Sequence, residues 1–195
     1  MMNKTPLKSL NPTLWRTCRV LSGRTRLILL RLVLQHPGQN VSSLAEQAGI
    51  GVSDASQELR RLQSRGLLRR TCRQTSVVYL PVPDPQVATA APLLSALQKA
   101  LIPPNADLET IARLARGLGS DRRVNLLRAL RHGPLTADQW SESAGVSPAS
   151  IKSGAAIFKA CGWIEKAGKT YALLPSADPV AAALLDGMLN GAVLG

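Results

Sequence analysis

Ser53, Ser56, Gln57 and Arg60 fall at i, i+3, i+4 and i+7. That spacing puts four side chains on one face of an α-helix. The chemistry open to such a face is hydrogen bonding. A glutamine amide offers a donor beside an acceptor, and a guanidinium offers a planar fork of donors. Gln matches an adenine edge in this way, and Arg a guanine edge. Arg61 and Arg65 lie on the helix flank, and Arg69, Arg70 and Arg73 follow. Cations there suit phosphate oxygens, which fix position without reading sequence. Asp54 and Glu58 share the helix and would repel phosphate, so the face is not uniformly cationic. The bland alternative is an ordinary solvated helix face.

These residues need a helix anchored by its other side. Ala55, Leu59 and Leu62 supply that apolar stripe, which predicts a helix over about 53–65 that stops at Gly66. A short helix precedes it, capped by Asn40 and ended by Gly49, a left-handed C′ residue. A turn of about three residues joins the two. Upstream, Asn11-Pro12 offers an N-cap and a first-turn proline. Leu14, Cys18 and Leu21 then mark a first helix, interrupted at Ser22-Gly23. Arg24 to Gln35 forms a second, with Leu27, Leu30 and Leu34 on one face, broken at His36-Pro37-Gly38. Downstream, 67–71 and 76–80 read as two short strands around Cys72 to Thr75, with β-formers Val77, Val78 and Tyr79 in the second. Helices, a tight glycine turn and a β-hairpin make a winged helix-turn-helix. The turn sets its two helices about 90–120° apart, so the second can present its polar face to a major groove.

The pattern occurs twice. Ser43 to Ile50 (SLAEQAGI) lies over Gln139 to Val146 (QWSESAGV) at an offset of 96. Glu46, Ala48 and Gly49 meet Glu142, Ala144 and Gly145, and Gly66 meets Gly162. With one residue of slippage, Leu29 to Arg31 lies over Leu126 to Arg128. Pro81 to Pro85 (PVPDP) lies over Pro175 to Pro179 (PSADP). In the second copy, Thr136 and Gln139 have capping-box spacing, and Ser147-Pro148 opens the next helix. Ile151, Ala155 and Phe158 form its inner face. Trp163-Ile164 and 170–173 are its strands, with a tip at 167–169. The predicted fold class is mainly α with small β-hairpin wings, a tandem duplication of a winged helix-turn-helix domain. The first unit spans 1–101, a proline-rich linker 102–107, and the second unit 108–195. Two consecutive prolines, Pro103-Pro104, cannot continue a helix and mark the joint.

The run Leu21 to Leu32 (LSGRTRLILLRL), followed by Ser43 to Leu68 (SLAEQAGIGVSDASQELRRLQSRGLL), resembles the ArsR-type winged-helix transcriptional regulators. The likeness covers most of 14–80, and more loosely 111–174. It implies duplex DNA binding and transcriptional control, usually by a homodimer whose interface uses the first and last helices of the unit. One departure concerns metal. Metal-sensing members carry Cys-x-Cys before the turn, where this chain has Val41-Ser42-Ser43-Leu44. No cofactor or metal is expected. A tandem copy also allows an intramolecular pseudo-dimer in place of a homodimer. Leu93, Leu94, Leu97 and Leu101, and Leu184, Leu185, Met188 and Leu189, form apolar stripes that either pair or cap their own cores.

The second copy has a weaker polar face: Ala149, Lys152, Ser153 and Ala156. Lys152, Ser153 and the wing residue Lys169 are its candidate DNA contacts, with Lys159 a further source of charge. Gly154 lowers helix propensity there by ~1 kcal/mol relative to Ala.

Charge and composition support this reading. The 195 residues carry 24 Lys/Arg against 12 Asp/Glu, a net +12, which favours polyanionic partners. Residues 1–90 hold thirteen of the cations against four acids. Aromatics are 3 % of the chain, too few for single-strand stacking platforms, so duplex DNA is the better partner. Neither a membrane span nor a signal peptide is expected. Three cysteines without a C-x-x-C pair argue against a disulfide framework or a thiolate zinc module and point to a reduced, cytoplasmic protein, nucleoid-associated if it binds DNA. No Ser/His/Asp set, phosphate loop or H-E-x-x-H motif suggests an enzyme. His36 and His132 read as a duplicated turn. Cys18 lies between Arg16 and Arg19, and Cys72 beside Arg73; they read as plain reduced thiols against the sharper idea of a redox switch. The alternative function is a non-catalytic architectural (nucleoid) or protein-interaction module.

Overall fold

Two helices separated by Ser22-Gly23 open the structure, α1 (Leu14–Leu21) and α2 (Arg24–Gln35). The computed structural model describes residues 13–73 and 75–190, so the Asn11-Pro12 cap and Gln74 lie outside it. The described chain is mainly helical with two small antiparallel sheets. None of its helices is long and apolar enough to cross a membrane. It divides into two units, one of residues 13 and 25–106, the other of residues 14–24 and 107–190.

In the first unit, α2 buries Leu27, Leu30 and Leu34 as their spacing predicts, and Leu29 and Val33 as well. Asn40 forms a one-residue bridge with Val78 and caps α3 (Val41–Ala48), accepting from the Ser43 amide at 2.8 Å. Gly49 closes α3 at φ 66°, a left-handed conformation that costs a residue without Cβ little. The chain then turns into α4 (Val52–Gln63), which buries Ala55, Leu59 and Leu62. Strands β1 (Arg69–Arg73) and β2 (Ser76–Leu80) pair from Arg69↔Leu80 to Arg73↔Ser76. Pairing begins two residues later than expected. Leu67 and Leu68 point into the core, and the Leu67 amide bonds back to the Leu62 carbonyl. Helix α5 (Ala90–Leu101) buries all four leucines of its stripe. Arg31 of α2 donates to the carbonyls of Pro103 and Pro104, so the proline joint stays with this unit.

The second unit contains α6 (Leu108–Gly117), α7 (Asp121–Ala129), a 3-10 turn (Leu130–His132) and β3 (Leu135–Thr136). It continues with α8 (Ala137–Ala144), α9 (Pro148–Cys161), β4 (Ile164–Ala167), β5 (Thr170–Leu173) and α10 (Pro179–Asn190). Its sheet runs β3-β5-β4. The core holds Trp140 and Trp163, whose indole N–H groups donate to the carbonyls of Leu126 (2.8 Å) and Leu114 (3.1 Å). On α10, Val180, Leu184 and Met188 are buried, whereas Leu185 is half-buried and Leu189 exposed; that stripe is narrower than its sequence suggests.

One segment departs from the sequence-based boundary. Helix α1 groups with the second unit, packed against α6, α7 and α10, with Cys18 and Leu21 fully buried.

Local hydrogen bonding recurs between the units. The Ile50 amide bonds the Ala45 carbonyl, and 96 residues on Val146 bonds Ser141. Leu67 bonds Leu62, and Trp163 bonds Phe158 at the same offset. The cap of Asn40 over Ser43 is matched by Thr136 over Gln139, a complete capping box. Gly145 (φ 61°) repeats Gly49, and Gly162 (φ 77°) repeats Gly66 (φ 74°). Asp84 accepts from the Gln86 amide as Asp178 does from Val180, now 94 residues on, because the stretch from Gly162 to the end of β4 is two residues shorter than that from Gly66 to the end of β1.

Candidate nucleic-acid interface

Helix α4 is amphipathic, and its outward face carries the polar set. Ser53, Gln57 and Arg60 are exposed, and Ser56 is half-buried between them. The helix starts one residue earlier than expected: Gly51 is its N-cap, without a side-chain cap bond, and Ser53 sits inside the first turn. Val52 is therefore displayed as well, with half its surface open. An apolar residue at a helix start reads as core in sequence, but here the side chain faces out. A methyl-bearing side chain there has the chemistry to meet a thymine methyl.

The flanking cations divide. Arg61 is exposed but bonds Glu58 one turn back, at 2.6 Å. The same carboxylate accepts from Arg26 of α2 at 2.7 Å, with both side chains largely buried. Glu58 therefore faces inward between two guanidinium groups, and the phosphate repulsion expected of it is largely compensated. Asp54 remains exposed. Arg65 is half-buried, its Nε donating to Ser64 Oγ at 3.3 Å. Arg69, Arg70 and Arg73 are exposed along β1. In sequence the link from Glu58 to Arg26 is hidden by the 32 residues between them.

In the second unit, Ala149, Lys152, Ser153 and Ala156 are exposed on α9 as expected, and Lys169 is exposed at the β4–β5 turn. Arg122 of α7 donates to Ser150 in the first turn of α9. Gly154 lies against α7. A Cβ at this position would lie 3.1 Å from Leu126 Cδ1, so its absence lets α7 approach α9. Both the Lys159 and Lys166 ammonium groups lie over the Tyr171 ring, at 5.9 and 5.5 Å. Only the register, which sets Lys166 opposite Tyr171, brings them together.

The thiols are not clustered. Cys18 is fully buried, and burial pushes its pKa up to about 12. Its sequence neighbours Arg16 and Arg19 instead lie over the Trp15 ring, at 5.0 and 5.7 Å. A low-pKa redox thiol at Cys18 is therefore ruled out by the direction of its side chain. Cys161 is buried and its pKa is also raised, mainly by desolvation, whereas Cys72 is exposed. His36 and His132 are exposed. No protein-family model, curated protein or solved structure matches this chain.

Proposed function

We propose that this chain is a sequence-specific, duplex-DNA-binding transcriptional regulator built from two tandem winged-helix units, with α4 as the reading helix. One observation carries the reading: Ser53, Gln57 and Arg60 are exposed together on a helix whose other side is core, in the same unit as a strand bearing three exposed arginines. Gln57 and Arg60 carry the bidentate groups that distinguish base pairs. Arg69, Arg70 and Arg73 supply phosphate contacts. The ArsR-type resemblance of residues 21–68 and the hydrogen bonds repeated 96 residues apart support the duplicated winged-helix fold. Duplex rather than single-stranded nucleic acid is favoured because Trp140, Trp163, Tyr79 and Phe158 are all buried, leaving few rings for base stacking.

The second reading, a sequence-blind architectural module, is favoured by the short side chains Ala149, Ser153 and Ala156 on α9. One experiment separates the two. Selection from a random duplex pool is followed by binding of the selected and unselected duplexes across a salt series. A steep salt dependence with a preference of ~10³ or more supports the regulator. A steep dependence without preference supports the architectural module. Absence of binding at low salt removes both.

A further inference from the structure

Between the repeats, the reading positions change in kind. At the offset of 96, Ser53, Ser56, Gln57 and Arg60 become Ala149, Lys152, Ser153 and Ala156. Both bidentate side chains are lost. The surrounding cations change too. Residues 52–80 contain six arginines and no lysine, whereas residues 148–173 contain four lysines and no arginine. Arginine is a planar fork that pairs with guanine or phosphate in fixed geometry. Lysine is a compact, strongly hydrated point charge on a flexible stem, without the rigid fork that fixes one geometry, so it suits phosphate attraction better than base reading.

The lysines also form a constructed surface. Lys152 and Lys159 are seven residues apart on α9, hence on one face about 10 Å apart along the axis. Lys159 and Lys166 share the Tyr171 ring, one from α9 and one from β4. That ring packs 5.4 Å from Trp140, which is fully buried and hydrogen-bonded to the Leu126 carbonyl. Lys169 extends the set to the hairpin turn, and all four lysines are exposed. A core-anchored aromatic thus holds two of the ammonium groups beside a helix face that lacks the glutamine and arginine of α4.

We infer that the second unit is a sequence-blind grip on the phosphate backbone of duplex DNA, made by Lys152, Lys159, Lys166 and Lys169, while base reading is confined to α4. This rests on the duplex-DNA reading above. The grip supplies affinity and salt sensitivity; the first unit supplies discrimination.

The test uses the full chain and two duplexes, one selected by the wild-type protein from a random pool and the unselected pool itself. In K152Q/K159Q/K166Q/K169Q, binding to both duplexes should weaken by the same factor, at least about tenfold at moderate salt. The slope of log affinity against log salt should shrink by ~0.9 for each phosphate released. The ratio between duplexes should stay unchanged. The all-arginine variant K152R/K159R/K166R/K169R keeps the charge and the ring contacts and should restore the slope, and matching thermal melts would show that both variants fold. A lost ratio in the glutamine variant would mean that the second unit reads bases. Unchanged affinity and slope would mean that it lies off the DNA. Either result overturns this proposal and leaves the reading role of α4 standing. If the wild-type protein binds no duplex at low salt, the DNA reading itself fails.

Discussion

Arg26 of α2 donates to Glu58 of α4 at 2.7 Å, and this ion pair joins the helix that presents the polar face to the helix behind it. Both side chains are 18 % exposed, so the pair is only partly screened by water. Removing Arg26 leaves Glu58 only its pair with Arg61, and neutralising Glu58 takes a carboxylate away from the partly buried Arg26 guanidinium. R26A and E58Q should each destabilise the chain, and the double variant should lose less than their sum. A coupling of about 1–2 kcal/mol in a urea-unfolding cycle is expected. Additive losses would mean that the pair does not hold α4.

Base discrimination should reside in Gln57 and Arg60. Q57A and R60A should each cost ~1–3 kcal/mol on a selected duplex and far less on random duplex. Quantitative competition binding measures both. Equal losses on the two duplexes would assign these side chains to phosphate.

Gly117 should tolerate no larger residue. A Cβ there would lie 2.6 Å from Trp163 Nε1, inside a buried ring that already donates to the Leu114 carbonyl. G117A should cost about 1–3 kcal/mol by overpacking. Tryptophan emission should shift to the red as the indole bond loosens. An unperturbed melt and spectrum would show that α6 can slide away at no cost.

Alkaline pH should weaken the fold through Cys18. The buried thiol keeps its proton to about pH 12, whereas an unfolded cysteine releases it near 9. Between those values the unfolded chain binds fewer protons than the folded one, so stability falls as pH rises and is unaffected below the window. Each unit of pH inside it removes ~1.4 kcal/mol. Between pH 8 and 10.5, wild type should lose about 2 kcal/mol more than C18A in urea unfolding. At neutral pH a thiol reagent should label Cys72 and spare Cys18.

What could be read from sequence was local. The apolar stripe of α2, the Asn40 and Thr136 caps and the left-handed glycines at 49 and 145 depend on residues within a turn or two of one another. The outward face of α4 follows from the same periodicity. Contacts made at a distance could not be read. Glu58 is compensated by Arg61 one turn on along α4 and by Arg26 on another helix, and only the second of these links is invisible in local spacing. Cys18 stands between two arginines in the sequence, but the helix turns both away from it, over the Trp15 ring, so its burial had to come from the structure. Lys159 and Lys166 looked like scattered charges until strand register placed them around one ring. The two-residue strand β3 was too short for any alternation to announce it.

Because α1 packs with elements that follow residue 107, its burial also has a timetable. On the ribosome it emerges roughly 90 residues before α6 and about 160 before α10 begins. At ~5–20 residues per second, Cys18 and Leu21 wait several seconds for the first of those surfaces and still longer for the last. The hydrophobic side of α1 is therefore a nascent-chain exposure in every molecule made. A transcript broken anywhere before α6 yields a chain in which that exposure never ends.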